Sequence, residues 1–171
     1  MKATPPARYY DLLDATARVG ALEVRLGYTF KNRLTCIAAL KLFNNGGPLY
    51  YDGITHAVDK NNRLALLGDR VLSLVVCEIW FKTEHSNTNT IAEEHSIMSS
   101  DTVSRIALEA TGNALGLRKS ILVPNVPLGP TQTNFTRDHI AETLEAVLGA
   151  IYVDSGYNLQ AVSNVLKGLG L

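Results

Sequence analysis

Three acidic residues stand where acids are costly. Asp69 lies inside the apolar run Asn61–Leu72, one residue after Gly68, and Glu142 and Glu145 lie at i, i+3 in the apolar run Ala141–Gly156, which Gly149 interrupts. A glycine in a helix interior costs ~1 kcal/mol relative to alanine, and an unpaired buried carboxylate costs far more. If both runs are helices, a glycine on each lets the two backbones cross closely, which brings Asp69 alongside Glu142 and Glu145. Carboxylates gathered in one cleft repel, and they persist ionised when a cation binds among them. Oxygen-only donors suit Mg2+ or Mn2+ rather than zinc. A plainer reading stays open beside this one: Asp69 on a solvent stripe, paired with Arg70 or Arg63.

Gly and Pro divide the chain into helical blocks, and no segment sustains the period-2 alternation of a strand, so the expected fold is all-α. Tyr9–Leu26 is expected as two short helices broken near Gly20, followed by the turn Gly27-Tyr28-Thr29-Phe30 and a helix over Arg33–Phe43. Asn44–Lys60 carries Asn44-Asn45-Gly46-Gly47-Pro48 and Asp52-Gly53 and is expected as a long surface loop. Asn62–Lys82 is apolar on nearly all sides, which places it in the centre of the fold or in an interface. After a polar loop at Thr83–Asn89 comes a helix near Thr90–Met98, then one over Thr102–Leu115 with Asp101 as N-cap and Gly116 as its stop. Leu122–Thr136, with Pro124, Pro127 and Pro130, cannot be a helix. The last two helices are expected over Asp138–Asp154 and from Asn158 to about Lys167.

At 171 residues the chain suits one domain, 9–171, behind a tail at 1–8. Lys and Arg (16) balance Asp and Glu (16), so any nucleic-acid binding must come from a local arrangement or from metal ions, not from a generally basic surface. Cys36 and Cys77 each sit in an apolar run, as buried free thiols do, which points to a reducing intracellular compartment and leaves cytoplasm, nucleus and mitochondrion open. The longest apolar run, Val71–Phe81, is broken by Ser73 and Glu78, so no membrane partner is expected, and Met1–Arg8 lacks the apolar core of a secretory signal. His56, His85, His95 and His139 are scattered and read as structural or surface residues.

Asn61, Arg63, Leu64, Leu67, Gly68, Asp69, Val71 and Leu72 match the pattern N-E-R-L-E-F-L-G-D-A-V-L of ribonuclease III domains. Glu145 to Gly156, Glu-Ala-Val-Leu-Gly-Ala-Ile-Tyr-Val-Asp-Ser-Gly, is similar to that family's second motif, and Leu22–Phe30 resembles its entry helix and turn. The resemblance runs from Leu22 to the C-terminus with order and spacing kept. It implies a homodimer formed through the signature helix, with Leu66, Leu67 and Gly68 at the interface, and a valley that accepts double-stranded RNA. It also implies hydrolysis by metal-activated water that leaves a 5′-phosphate and a 3′-hydroxyl. Carried over by position, Asp69, Glu142 and Glu145 are the catalytic residues and the ligands of Mg2+, with Mn2+ as substitute.

The departures from the pattern touch the same site. Ala65 replaces the fourth carboxylate, Asn62 replaces the other signature glutamate, and Glu142 replaces an aspartate. The added methylene at 142 moves the oxygens by ~1 Å, a displacement that can cost ~100-fold in rate. Leu66 replaces the aromatic that family dimers insert into the partner, and Arg70 replaces a small residue beside Asp69, either to contact a phosphate or to neutralise the site. Lys60, Arg63 and Arg70 are the leading RNA contacts, with Lys82, Arg118, Lys119 and Arg137 as further phosphate candidates. The chain ends soon after the nuclease-like region, so affinity for RNA is expected to come from the valley without a separate double-stranded-RNA-binding domain. Two functions follow. The favoured one is a metal-dependent endoribonuclease of double-stranded or structured RNA with reduced activity. The other is a catalytically degenerate RNA-binding or scaffold protein, which Ala65 supports, although the balanced charge speaks against a ribosomal role.

Overall fold

The computed structural model describes residues 3–43, 47–83, 91–125 and 134–170. Seven helices make up most of them: α1 (Leu12–Leu26), α2 (Arg33–Leu40), α3 (Asn62–Lys82), α4 (Ile91–Val103), α5 (Arg105–Ala114), α6 (Arg137–Asp154) and α7 (Leu159–Gly168). The central one is α6, whose residues from Ile140 to Ile151 are all buried except Glu142. Around it pack α2, α3, α5 and α7, with α3 making the most extensive contact. Side-chain caps start several of these helices. Asp11 Oδ1 accepts the Leu13 N–H at 2.7 Å, Asn158 Oδ1 accepts that of Gln160 at 2.9 Å, and Thr136 and His139 form a reciprocal capping box at the start of α6. Gly116, at φ 69, follows α5 as expected of a stop.

The structure corrects the sequence-based expectation in four places. Within the expected helical fold, first, β1 (Tyr10–Asp11), β2 (Leu49–Tyr51) and β3 (Ile54–His56) form a small sheet in the order β1-β2-β3 where no strand was expected. β1 pairs parallel with β2, and β2 pairs antiparallel with β3, with Tyr51 opposite Ile54. The supposed surface loop thus contains a hairpin whose two-residue turn is Asp52-Gly53, both at positive φ (48° and 86°), the backbone that twisted hairpins favour. Second, α1 runs unbroken through Gly20, since Ala15, Val19, Leu22 and Leu26 bury one continuous stripe that outweighs the cost of one glycine. Third, α2 stops at Leu40, and Lys41 turns inward to donate to the Val58 carbonyl while lying 5.6 Å from the centre of the Tyr10 ring. Fourth, the break between α4 and α5 falls at Ser104, whose Oγ accepts the Ala107 N–H at 3.2 Å, and Asp101 lies inside α4. The expected loops at Asn44–Gly46, Glu84–Asn89 and Val126–Thr133 lie outside the described residues.

Candidate active site

Two glycines make the crossing of α3 and α6. A Cβ placed on Gly68 would stand 1.7 Å from the Glu145 carbonyl oxygen and 2.8 Å from the Gly149 nitrogen, and one on Gly149 would stand 2.2 Å from the Leu64 carbonyl oxygen. Backbone meets backbone at this point, as the paired glycines predict. Gly68, expected at a dimer interface, is buried here against α6 of its own chain.

The crossing runs beside the acids: Asp69 follows Gly68, and Glu145 supplies the carbonyl that Gly68 meets. Glu145 is 6% exposed, and burial pushes its carboxyl above the ordinary glutamate range; Arg105 pulls it down, whereas Asp69 and Glu142 push it further up. Asp69 and Glu142 are therefore electrostatic neighbours of Glu145. Each acid also faces a base: Arg70 Nη1 lies 3.3 Å from Asp69 Oδ2, Lys60 Nζ lies 3.5 Å from Glu142 Oε1, and Arg105 Nη1 lies 3.5 Å from Glu145 Oε1. These separations exceed the ~2.7–2.9 Å of a tight charge-assisted hydrogen bond, so the pairs are loose contacts.

Two of the bases are fixed by their neighbours. Lys60 sits between Val58, whose carbonyl Lys41 holds, and Asn61, a fully buried residue whose N–H donates to the Lys41 carbonyl at 3.0 Å and whose Nδ2 donates to that of Ala39 at 3.2 Å. Asn61 matches the motif without an assigned role, and here it pins the start of α3 to the end of α2. Arg105 is the first residue of α5, presented by the Ser104 cap. The sequence-based expectation omits Arg105 because it runs one helix through it; the serine one residue before was the available signal.

In kind, the donor set fits a hard divalent cation: three carboxylates, with no nitrogen or sulfur among them. In number it falls short, since Ala65 occupies the fourth position and is 5% exposed. No group of three or more His, Cys, Asp or Glu among the described residues converges closely enough to hold a metal ion. Asp69, Glu142 and Glu145 would have to leave their basic partners to do so.

The remaining predicted residues divide clearly. Arg70 takes the ion pair with Asp69 that was the plainer alternative, and Lys60 is likewise engaged with an acid. Arg63 is exposed and, with Lys60, Leu34, Val58, Leu64 and Leu67, lines an open cavity of about 660 Å3. Leu66 is 63% exposed on α3, and Leu74 and Phe81 further along are also exposed. Arg118 and Arg137 both pair with Glu109, and Lys82 pairs with Glu78. His139 caps α6 and His95 packs edge-on against Trp80; His85 lies outside the described residues. Cys36 and Cys77 are free thiols. Among the described residues no helix is long and apolar enough to cross a membrane.

Two further carboxylates hold the frame that carries the site. Asp154, at the end of α6, accepts from the Tyr28 hydroxyl and the N–H groups of Lys31 and Asn32 at 2.8 to 2.9 Å. Burial alone would raise its carboxyl, but these donors and the Lys31 charge outweigh it and hold it below the usual range. Glu23 receives the Phe30 N–H at 2.9 Å and the Arg33 guanidinium at 2.7 Å. Together they fasten the turn between α1 and α2 to α6. The sequence shows both acids inside the family-like segments, but only the fold shows what they bind.

Comparison with known proteins agrees with this architecture. The family described as Ribonuclease-III-like matches residues 50–168. The ribonuclease 3 of Rhodopirellula baltica is 28% identical over 146 residues, covering 84% of this chain and 49% of the relative. That of Streptomyces coelicolor is 31% identical over 171 residues, covering 98% of this chain and 56% of the relative, and that of Rickettsia akari is 33% identical over 153 residues, covering 86% and 61%. The chain spans about half the length of the curated relatives it matches. The nuclease domain of ribonuclease III from Campylobacter jejuni, solved in a study of flexibility in a region involved in dimer formation, shares the fold with a TM-score of 0.66. At 23% identity, that match covers 88% of this chain and 94% of the other. With the family match over residues 50–168 and a relative 31% identical along 98% of this chain, the protein belongs to the ribonuclease III family.

Proposed function

We propose that the chain is a ribonuclease III-type endoribonuclease domain acting on double-stranded or structured RNA, with activity well below that of a four-carboxylate centre. The observation that carries this reading is the glycine-on-glycine crossing of α3 and α6, which sets Asp69, Glu142 and Glu145 in one neighbourhood. Asp69, Glu142 and Glu145 would hold the divalent cation, Mg2+ or Mn2+, which when bound supplies a nucleophilic water and charge neutralisation at the scissile phosphate. The chain's own part is positional. The crossing packs Gly68, the residue before Asp69, against the Glu145 backbone, and the Asn61 anchor holds the start of α3 where Lys60 meets Glu142. Arg63, exposed at the rim of the cavity, is placed to meet a phosphate.

A homodimer through α3 completes this reading. Leu66, Leu74 and Phe81, 63%, 51% and 75% exposed, lie on the side of α3 turned away from α6, a costly display for a monomer. Leu67 lines the neighbouring cavity, which gives a second copy an apolar hollow to fill.

A second reading has its own support. Ala65 and the three ion pairs favour a domain that binds RNA without cutting it. The deciding experiment incubates purified protein with long double-stranded RNA and Mg2+ or Mn2+, beside the double variant Asp69→Asn, Glu145→Gln. Slow cleavage to 5′-phosphate and 3′-hydroxyl ends by the wild type alone is the expected result. Binding with no cleavage by either protein establishes the second reading, and cleavage that survives in the double variant removes these carboxylates from the chemistry.

A further inference from the structure

The carboxylates of this site already have cations, and the chain supplies them. Asp69, Glu142 and Glu145 carry three negative charges when ionised, and Arg70, Lys60 and Arg105 bring three positive charges to within 3.3 to 3.5 Å of them. The three bases come from separate places: the segment leading into α3, α3 itself, and the first turn of α5. Ala65, where a fourth acid would create a negative excess, contributes no charge. The local balance is neutral where a divalent-ion site needs a surplus of negative charge.

We propose that Lys60, Arg70 and Arg105 are built-in counter-ions of the carboxylate cluster, competing with a divalent cation for Asp69, Glu142 and Glu145 and setting its affinity low. The inference rests on the reading of these three acids as the cation-binding group. It assigns the bases a role distinct from RNA contact: they are positioning residues that hold each acid apart from the others. Arg105 is the most informative, because Glu145 is the buried member of the cluster and Arg105 is its partner. A base beside the acids repels a divalent ion twice as strongly as a monovalent one, so removing one competing base should tighten binding about tenfold.

The test measures Mn2+ binding to the full chain by titration calorimetry and by electron paramagnetic resonance of the free ion. It compares the wild type with Arg105→Ala, Lys60→Ala, Ala65→Glu and the remote charge control Lys167→Ala, each shown to be folded by circular dichroism. The expected result is weak binding by the wild type, about tenfold tighter binding by Arg105→Ala and Lys60→Ala, and no change in Lys167→Ala. Binding by Ala65→Glu with no gain in either base variant overturns the competition. An equal gain in Lys167→Ala overturns it too, since the effect would then be one of net charge. Absence of Mn2+ binding in every variant, Ala65→Glu included, overturns the underlying reading of the three acids, and the inference falls with it.

Discussion

Replacing Gly68 with alanine tests the crossing on which everything else depends. The new Cβ would lie 1.7 Å from the Glu145 carbonyl oxygen, with the Glu145 carbonyl carbon and the Gly149 nitrogen at 2.7 and 2.8 Å. A carbon and a carbonyl oxygen approach to about 3.3 Å at closest, so the helices must part by roughly 1.5 Å along that line. Every obstructing atom is backbone, and no side chain can rotate out of the way. Overpacking of this kind costs ~3 kcal/mol, and the better helix propensity of alanine returns ~1 kcal/mol. The net loss of ~2 kcal/mol corresponds to a fall in Tm of about 4–8 °C for a chain of this size. The control is Gly20→Ala in the middle of α1, where an added Cβ meets nothing within 4 Å. There the same change should stabilise by ~0.5–1 kcal/mol. Thermal unfolding followed by circular dichroism reads both. If Gly68→Ala melts at or above the wild-type temperature, the close backbone contact is wrong, and with it the placement of Asp69 beside Glu145.

Other consequences are equally measurable. Asp154 is held below the usual carboxylate range, so its stabilising effect is complete above pH ~4 and is lost as pH falls toward its lower folded value. Asp154→Asn should cost ~1–3 kcal/mol at pH 7 in urea unfolding, and its stability should fall less than that of the wild type below pH 4; parallel curves would contradict this. Thr136→Ala removes half of the capping box of α6 and should cost ~1 kcal/mol in the same assay. Under the dimer proposal, Leu66→Glu places a charge on the exposed face of α3 and should shift sedimentation from dimer to monomer; an unchanged dimer would move the interface elsewhere.

The α3–α6 crossing was more legible than the scaffold around it, for physical reasons. Two glycines in apolar helices with acids beside them make a local pattern, and local patterns survive in sequence. The partners of those acids are not local. Arg105 reaches Glu145 across 40 positions of sequence, and nothing in its own neighbourhood marks it except the Ser104 cap. The hairpin is hard to see in sequence because Asp52-Gly53 is as much a loop signal as a hairpin turn. Leu49-Tyr50-Tyr51 and Ile54-Thr55-His56, which flank it with strand-forming residues, are too short to show alternation. The contact of Gly68 with α6 follows from the same glycine argument that predicts the α3–α6 crossing, because a glycine in each helix is what lets the backbones meet.

In the proposed function, Asp69, Glu142 and Glu145 form a ribonuclease III-type active site weakened by the loss of one ligand. Its most direct test is the single-turnover cleavage rate of Ala65→Glu against wild type on one double-stranded RNA with saturating Mg2+, both proteins checked for equal folding. Faster cleavage by Ala65→Glu is expected, at the same positions and with the same 5′-phosphate ends. A folded Ala65→Glu that binds the RNA and cuts no faster than the wild type would contradict it.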